Sequence, residues 1–313
     1  MTDDRAITPK VAAVILNWNG VKFIANCVDS LYSQSYLNLV VLLADNGSVD
    51  GSVELVKNAH PDLIVIQNGR NVGTVGRNPA LARALEMGSD YLFITDNDVV
   101  LPRDTIARLV AFLETNPRVG IAGPAIHGLT QGLKAPVVRI SNRTAKVEIS
   151  RYVDTPSPTS CIGIAMVSRQ AARAVGGYDP SYFVYYEDVD YCTRAREAGF
   201  EVYILPNVVL DHLAGASVRK VEGLNGFVSL RNRCIYARKH FPARVRLSFI
   251  GFLPAQVLTT SLFFAKRRRF RDILLMILGT GLGLSVLLSG HESRTLKNLS
   301  VFLMGGTLFL ESA

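Results

Sequence analysis

Two acidic groups in the sequence are spaced to do chemistry. Asp96-Asn97-Asp98 directly follows the apolar run 91–95, a placement that predicts a strand end projecting both carboxylates. Two carboxylates one residue apart can share a hard divalent cation, which completes its shell with water and substrate phosphates. Glu187, Asp188 and Asp190 follow Phe183-Val184-Tyr185-Tyr186. Acids in that position either complement the dipole at a helix N-terminus or hold one carboxylate rigidly in a cleft as a general base. Aromatic neighbours would partly desolvate such a base and offer a stacking face to a sugar ring. His212, after the apolar run 208–210, is open to three readings: metal ligand, proton carrier or satisfied structural histidine.

The elements that must position these groups follow from periodicity. Residues 11–123 alternate short apolar runs with amphipathic stretches of helical length, the pattern of parallel strands joined by helices. Strands are predicted at 11–16, 39–44, 63–66, 91–95 and 119–122, and helices at 22–33, 52–59, 77–87 and 102–115, the last opening with Pro102 near its first turn. The expected fold is a mostly parallel, doubly wound α/β sheet, in which ligands bind outside the carboxyl ends of the strands. Four segments rich in Asp, Asn and Gly fall there: Asn17-Trp18-Asn19-Gly20, Asp45-Asn46-Gly47-Ser48, Asn68-Gly69-Arg70-Asn71 and Asp96-Asn97-Asp98. Any one of them reads as a turn; four on one edge point to a shared site. Between 124 and 158 the helical rhythm stops, and 139–153 reads as strand interrupted by turns, an acceptor-side insertion. Regularity returns with the apolar run 161–167, a helix over 169–175 that stops at Gly176-Gly177, and a helix ending near Gly199.

The 313 residues are 49% hydrophobic and 19% charged, more apolar than an ordinary soluble domain, and most of the excess lies after Leu247. One catalytic domain with a tail is the expected organisation. The formal charge of +8 suits an acidic partner such as anionic lipid or nucleotide phosphate. Nucleic acid is not an expected partner, because no zinc-finger, RNA-recognition or helix-turn-helix pattern is visible. Cys27, Cys161, Cys192 and Cys234 form no close pair of the kind structural zinc or a redox motif requires, and read as reduced thiols of the cytosol. Residues 1–10 carry two aspartates and no apolar run, unlike a secretory signal, so the catalytic part is expected inside the cell.

In the tail, 247–265 and 273–289 are apolar and close to the roughly 20 residues a spanning helix needs. Between them stand Lys266, Arg267, Arg268, Arg269 and Arg271. A two-helix hairpin entering from the cytosol would put these cations outside, against the positive-inside rule. The reading favoured is therefore helices lying in or dipping into the inner leaflet, with the basic cluster against anionic headgroups. In the alternative, a soluble helical subdomain packs its apolar faces on itself or on a partner subunit, as in a homo-oligomer. Gly281, Ser285 and Ser289 repeat at a four-residue spacing that suits close helix packing under either reading.

Val14-Ile15-Leu16-Asn17-Trp18-Asn19-Gly20, Asp45-Asn46-Gly47-Ser48 with Asp50-Gly51-Ser52, Asp96-Asn97-Asp98, Gly176-Gly177-Tyr178-Asp179 and Tyr186-Glu187-Asp188-Val189-Asp190 occur in the order seen in family 2 glycosyltransferases. Within that family the chain most resembles the rhamnosyltransferase-type enzymes of bacterial polysaccharide assembly, which share a downstream histidine such as His212 and an Arg-Asn pair such as Arg231-Asn232. The likeness covers about 11–242. It implies a GT-A catalytic domain over 1–242, with a nucleotide-binding half at about 10–123 and an acceptor half at about 124–242, and a membrane-associated tail over 243–313. It implies an inverting, hexosyl-transferring enzyme at the cytoplasmic face of the membrane, taking a UDP- or dTDP-linked sugar to a glycan or lipid-linked acceptor. Asp45 would contact the base of the nucleotide, while Asn17, Asn19, Asn71, Gly73, Asp96 and Asn97 would line its pocket. Asp96 and Asp98, with His212, would hold Mg or Mn on the diphosphate, and Asp188 would take the proton of the acceptor hydroxyl.

Two departures qualify the likeness. Pro79 restricts the loop from Asn71 to Asn78, which bears on donor-sugar preference. The Gln-x-x-Arg-Trp motif of processive members is missing, since Trp18 is the only tryptophan, and this favours single addition. A Rossmann oxidoreductase would need a G-x-G-x-x-G turn after the first strand, which Asn17-Trp18-Asn19-Gly20 does not supply. A non-catalytic scaffold on the same fold would not need its acids at Asp98 and Asp188.

Overall fold

In the computed structural model, which describes residues 8–212 and 224–289, the first four apolar runs become β1 (Val11–Asn17), β2 (Leu39–Asp45), β3 (Ile64–Gln67) and β4 (Tyr91–Asp96), all parallel. Their register pairs Asn17 with Asp45, Asp45 with Gln67, and Leu16 with Asp96. The polar residues that follow each run therefore arrive at one edge. Helices α1 (Ile24–Tyr32), α2 (Ser52–Ala59) and α3 (Asn78–Glu86) form the crossovers. Both faces of β1 are covered: Val11, Ala13 and Ile15 share one core with Ile24, Cys27 and Leu31 of α1, while Ala12 and Val14 share another with Ala80, Leu81 and Ala84 of α3. This is the period of two of a strand buried on both sides.

The second half of the sheet departs from a purely parallel pattern. After β5 (Val99–Val100), α4 (Thr105–Thr115) and β6 (Val119–Ile126), the hairpin β7 (Ala135–Ile140) and β8 (Val147–Val153) fills the segment where helical rhythm stops. Helix α4 starts at Thr105; Pro102 stays ahead of it, its carbonyl accepting from Gln34 Nε2 at 2.8 Å. Then come β9 (Ser157–Pro158), β10 (Ala165–Ser168), α5 (Arg169–Val175), α6 (Glu187–Glu197) and β11 (Glu201–His212). The order is β3-β2-β1-β4-β10-β6-β11-β5. Strand β10 runs antiparallel to both neighbours, β4 and β6, whereas β11 is parallel to β6. The far end of β11 pairs with β5, His212 against Val99, which brings His212 beside Asp98.

Among the described residues three helices come last: α7 (Leu224–His240), α8 (Ala243–Lys266) and α9 (Phe270–Ser289). Helix α7 was not expected from the sequence, whose polar residues there show no clean apolar stripe. Helix α9 crosses α7 at very short range through Gly279 and Gly283: a Cβ on Gly279 would stand 2.0 Å from the Phe227 carbonyl oxygen, and one on Gly283 2.8 Å from Arg231 Cα. Gly281, predicted to make such a contact, faces open space; the small-residue face lies two residues away. Helices α8 and α9, 24 and 20 residues long, are apolar and long enough to cross a membrane. Leu247, Leu258, Leu262, Phe270, Leu274, Ile277 and Leu288 are exposed along them. Residues 1–7, on which the N-terminal reading rests, and 290–313 of the tail lie outside the described residues.

Candidate active site

At the carboxyl edge of the sheet the strand-end residues are tied to one another. Asn17 is fully buried. Its Nδ2 donates to Asp45 Oδ1 (3.1 Å), Ser48 Oγ (3.1 Å) and Ser52 Oγ (2.9 Å), and its Oδ1 accepts from Asn97 Nδ2 at 2.7 Å. The other oxygen of Asp45 accepts from the backbone N–H of Gly47 and Ser48 at 3.0 and 2.9 Å. Asn19 sits in the left-handed region at φ 48° and its Oδ1 accepts from Val49 N–H. Asn46 donates to Asn71 Oδ1 and to the Gly73 carbonyl and accepts from Asn68. Gly20 is required by close approach, since a Cβ there would fall 2.0 Å from Asn97 Nδ2. Gly73, at φ +74°, would drive a Cβ to 2.1 Å from the Phe183 carbonyl oxygen, which locks this loop against the aromatic segment that precedes α6. Pro79 occupies the first turn of α3 rather than the loop.

Beside this network Asp96, Asp98 and His212 offer two carboxylate oxygens and one imidazole nitrogen within 4.8 Å of one another. His212 Nε2 lies 3.0 Å from Asp98 Oδ1. That hydrogen bond and the charges of Asp98 and Asp96 raise the imidazole above its ordinary value against the effect of burial. The chemistry of this donor set, hard oxygens with one nitrogen, fits a divalent cation such as Mg or Mn. Arg77 is bonded to the same group through Asp96. Its guanidinium, almost fully buried, is ion-paired with Asp96 and lies over the Tyr178 ring at 5.8 Å. Burial works against the Arg77 charge, but Asp96, Tyr178, Glu187 and Asp188 more than offset it. Arg77 thus links the two acidic groups read from the sequence.

The second group opens α6. Glu187 and Asp188 follow two consecutive left-handed residues, Tyr185 (φ 63°) and Tyr186 (φ 73°); such conformations cost about 1–3 kcal/mol each and persist only where surroundings over-determine them. Asn232 of α7 is such a surrounding: fully buried, it donates from Nδ2 to the Val184 and Tyr185 carbonyls at 3.0 and 2.8 Å. Arg231 Nη1 donates to the Ser181 carbonyl and to Asn232 Oδ1. Burial and the adjacent Asp188 charge push Glu187 up to about 8, and its Oε2 is buried without a partner. Asp188 is also raised by burial, opposed by the Val189 N–H that its Oδ1 accepts at 2.8 Å. Asp190 differs. Burial would raise it, yet His240, Lys239 and Arg194 all bond its carboxylate and hold it at about 2, so it is a structural anchor between α6 and α7.

Residues 12–176, more than half of the chain, match the family described as Glycosyl transferase family 2. The chain belongs to that family. Among curated relatives of this family 2 glycosyltransferase is the dTDP-rhamnosyl transferase RfbF of Shigella flexneri, 24% identical over 256 residues that span 77% of this chain and 85% of the relative. Another is the N-acetylglucosaminyl-diphospho-decaprenol L-rhamnosyltransferase of Mycobacterium tuberculosis, 28% identical over 212 residues, 57% of this chain and 68% of the relative. In fold the enzyme resembles the mannosyltransferase PcManGT of Pyrobaculum calidifontis in complex with GDP-Man and Mn2+, with a TM-score of 0.56, 20% identity, and 98% of this chain and 89% of that one covered. The α/β sheet is thus of the GT-A kind, and the family 2 enzyme transfers a sugar from a nucleotide sugar.

The residues singled out in the sequence divide into two sets. Asp96, Asp98 and His212 converge, and Asp188 acts with Asp96 on the charge of Arg77, whereas the side chains of Asn17, Asp45 and Asn97 are buried and bonded within the protein. Sequence reasoning missed Arg77, whose one signal is a lone cation inside a glycine-rich loop. It named Asn232 within an Arg-Asn pair without a role.

Proposed function

We propose that this family 2 enzyme is an inverting, non-processive hexosyltransferase that moves a sugar, rhamnose on the strength of its relatives' names, from a UDP- or dTDP-linked donor to a glycan or lipid-linked acceptor at the cytoplasmic face of a membrane. Residues 1–242 would form the catalytic domain and 243–313 the membrane-associated tail. The observation that carries the reading is an Asp-Asp-His group and a raised acidic pair that both act on one buried cation, Arg77. Asp96, Asp98 and His212 would hold Mg or Mn, whose contribution is to neutralise charge on the departing nucleoside diphosphate. Burial raises both Glu187 and Asp188 above the usual carboxylate range, and of the two Asp188 would serve as the base. Asp188 then accepts the proton of the acceptor hydroxyl as the oxygen attacks the anomeric carbon from the face opposite the nucleotide, and inversion follows from that single displacement. Asn232 and Arg231 keep the turn before Asp188 in its left-handed form.

Thermal protection tests the donor half of the proposal, because a ligand that binds only the native state adds about 2.7 kcal/mol at a hundred times its Kd. UDP- or dTDP-linked sugars should raise the Tm in the presence of Mn2+, and Asp98→Ala should abolish the metal-dependent part while remaining folded. Equal protection of Asp98→Ala would remove this residue from the metal group.

A further inference from the structure

Beside the base turn lies a polar patch for which the transfer chemistry above has no use. Arg233 follows Asn232 on α7, and its Nη1 donates to Gln256 Oε1 of α8 at 3.1 Å. Among the described residues no carboxylate is ion-paired with Arg233. Arg233 Nε and Gln256 Nε2 are both buried without a hydrogen-bond partner, and Gln256 is only 9% exposed. One turn back on α8, Phe252 carries the exposed Arg143 guanidinium over its ring at 5.7 Å. Arg143, from the turn between β7 and β8, likewise has no carboxylate partner among the described residues. The same turn is bound to the base segment, since the Tyr186 hydroxyl donates to the Ala145 carbonyl at 2.7 Å. Burial pushes the Tyr186 phenol up to about 12 while the neighbouring Arg233 charge pulls it back.

Phe252 and Gln256, four residues apart on one helix, lie on the same face. Arg143 and Arg233 therefore flank one face of α8, two residues in sequence from Asp188 through Tyr186. Buried donors left without acceptors cost free energy unless something accepts from them. Guanidinium and amide donors with uncompensated positive charge match phosphate oxygens. Along the same face of α8 the exposed rings of Phe252 and Phe263 offer a surface suited to a hydrocarbon chain.

We propose that Arg233, Gln256 and Arg143 form a binding site for the phosphate or diphosphate ester of a lipid-linked acceptor. The site rests on the lipid-linked acceptor reading given above and supplies that acceptor's anchor: the ester seats on α7 and α8, its lipid runs along α8, and its sugar hydroxyl is delivered toward Asp188.

Farnesyl diphosphate and farnesol are suitable probes, titrated into the full chain in neutral detergent with UDP and Mn2+ saturating the donor side. The diphosphate should bind more tightly than farnesol. Arg233→Gln and the surface variant Arg143→Gln should each weaken it about tenfold, the scale of one charge-assisted hydrogen bond, and leave farnesol unchanged. Flotation on phosphatidylcholine vesicles with and without phosphatidylglycerol separates the other source of phosphate. Loss of vesicle binding in both variants with diphosphate affinity intact would mean a headgroup contact and overturn the acceptor site. Unchanged diphosphate affinity in folded Arg143→Gln and Arg233→Gln would overturn it as well. Asp188→Asn should bind farnesyl diphosphate normally, so an error in assigning the base shows in turnover and not in this titration.

Discussion

The strand-end edge around Asn17 and the segment around α6 and α7 are built on opposite principles. At the strand ends Asn17, Asp45, Asn46, Asn68, Asn71 and Asn97 bond one another and the loop backbone. Side chains bonded in this way fix the loops that carry them. Around α6 and α7 Glu187 Oε2, Arg233 Nε and Gln256 Nε2 are buried without partners, and two tyrosines are held left-handed. Unsatisfied polar atoms and local strain are unfavourable for folding, and they gather at sites where substrate or proton completes them. The contrast separates scaffold from chemistry among residues of the same types.

Breaking the chemical side should have the largest effect. Asp188→Asn is expected to lower turnover about a hundredfold to ten-thousandfold, the usual contribution of a positioned base, with donor affinity kept. Glu187→Gln, which mimics the protonated form, should retain far more activity. The reverse ranking, measured as kcat and as donor Kd on the same preparations, would move the base by one residue.

Breaking the scaffold side should instead cost stability. Asn46→Ala removes the side-chain donor to the Gly73 carbonyl and one of the two acceptors of Asn68 Nδ2, which keeps the Gly76 carbonyl, and should destabilise the fold by about 1–3 kcal/mol. Urea unfolding reads this directly, and an unchanged midpoint would show the network to be dispensable.

A smaller effect sharpens the comparison within one helix. Asp190, held at about 2 against an ordinary 3.8, contributes about 2 kcal/mol of stability. That contribution is complete above about pH 4 and is lost as the pH falls toward 2. Glu187 has the opposite sign: raised from 4.5 to about 8, it makes the fold progressively less stable as the pH rises through that window, because the unfolded chain ionises it first. Denaturation between pH 2 and 8 should show the acid loss missing from Asp190→Asn and the alkaline decline reduced in Glu187→Gln.

Much of the first half of the fold was legible in the sequence because it depends on local period. Ser52–Ala59 and Arg169–Val175 are helices over the predicted residues, and β1, β2, β3, β4 and β6 each begin within a residue of the predicted start, whereas the parallel strand β11 was not expected. What was hidden depends on contacts between distant segments. Nothing in residues 161–167 says that β10 inserts antiparallel between β4 and β6. The spacing of Asp98 and His212 in sequence does not disclose the pairing of β5 with β11. Asp98 and Asp190 are both acids near a strand or helix end, and only their partners, one histidine against a lysine, a histidine and an arginine, tell a candidate ligand from an anchor. Arg77 was hidden for the same reason: its burial is set by Asp96 and Tyr178, not by the loop that carries it.

At the centre of the account is one displacement served by one carboxylate. Nuclear magnetic resonance of the glycosidic product, made from a nucleotide sugar of known anomeric configuration, tests it most directly. Single displacement with Asp188 as base predicts the inverted anomer as the sole product; a product that retains the donor's configuration would contradict it.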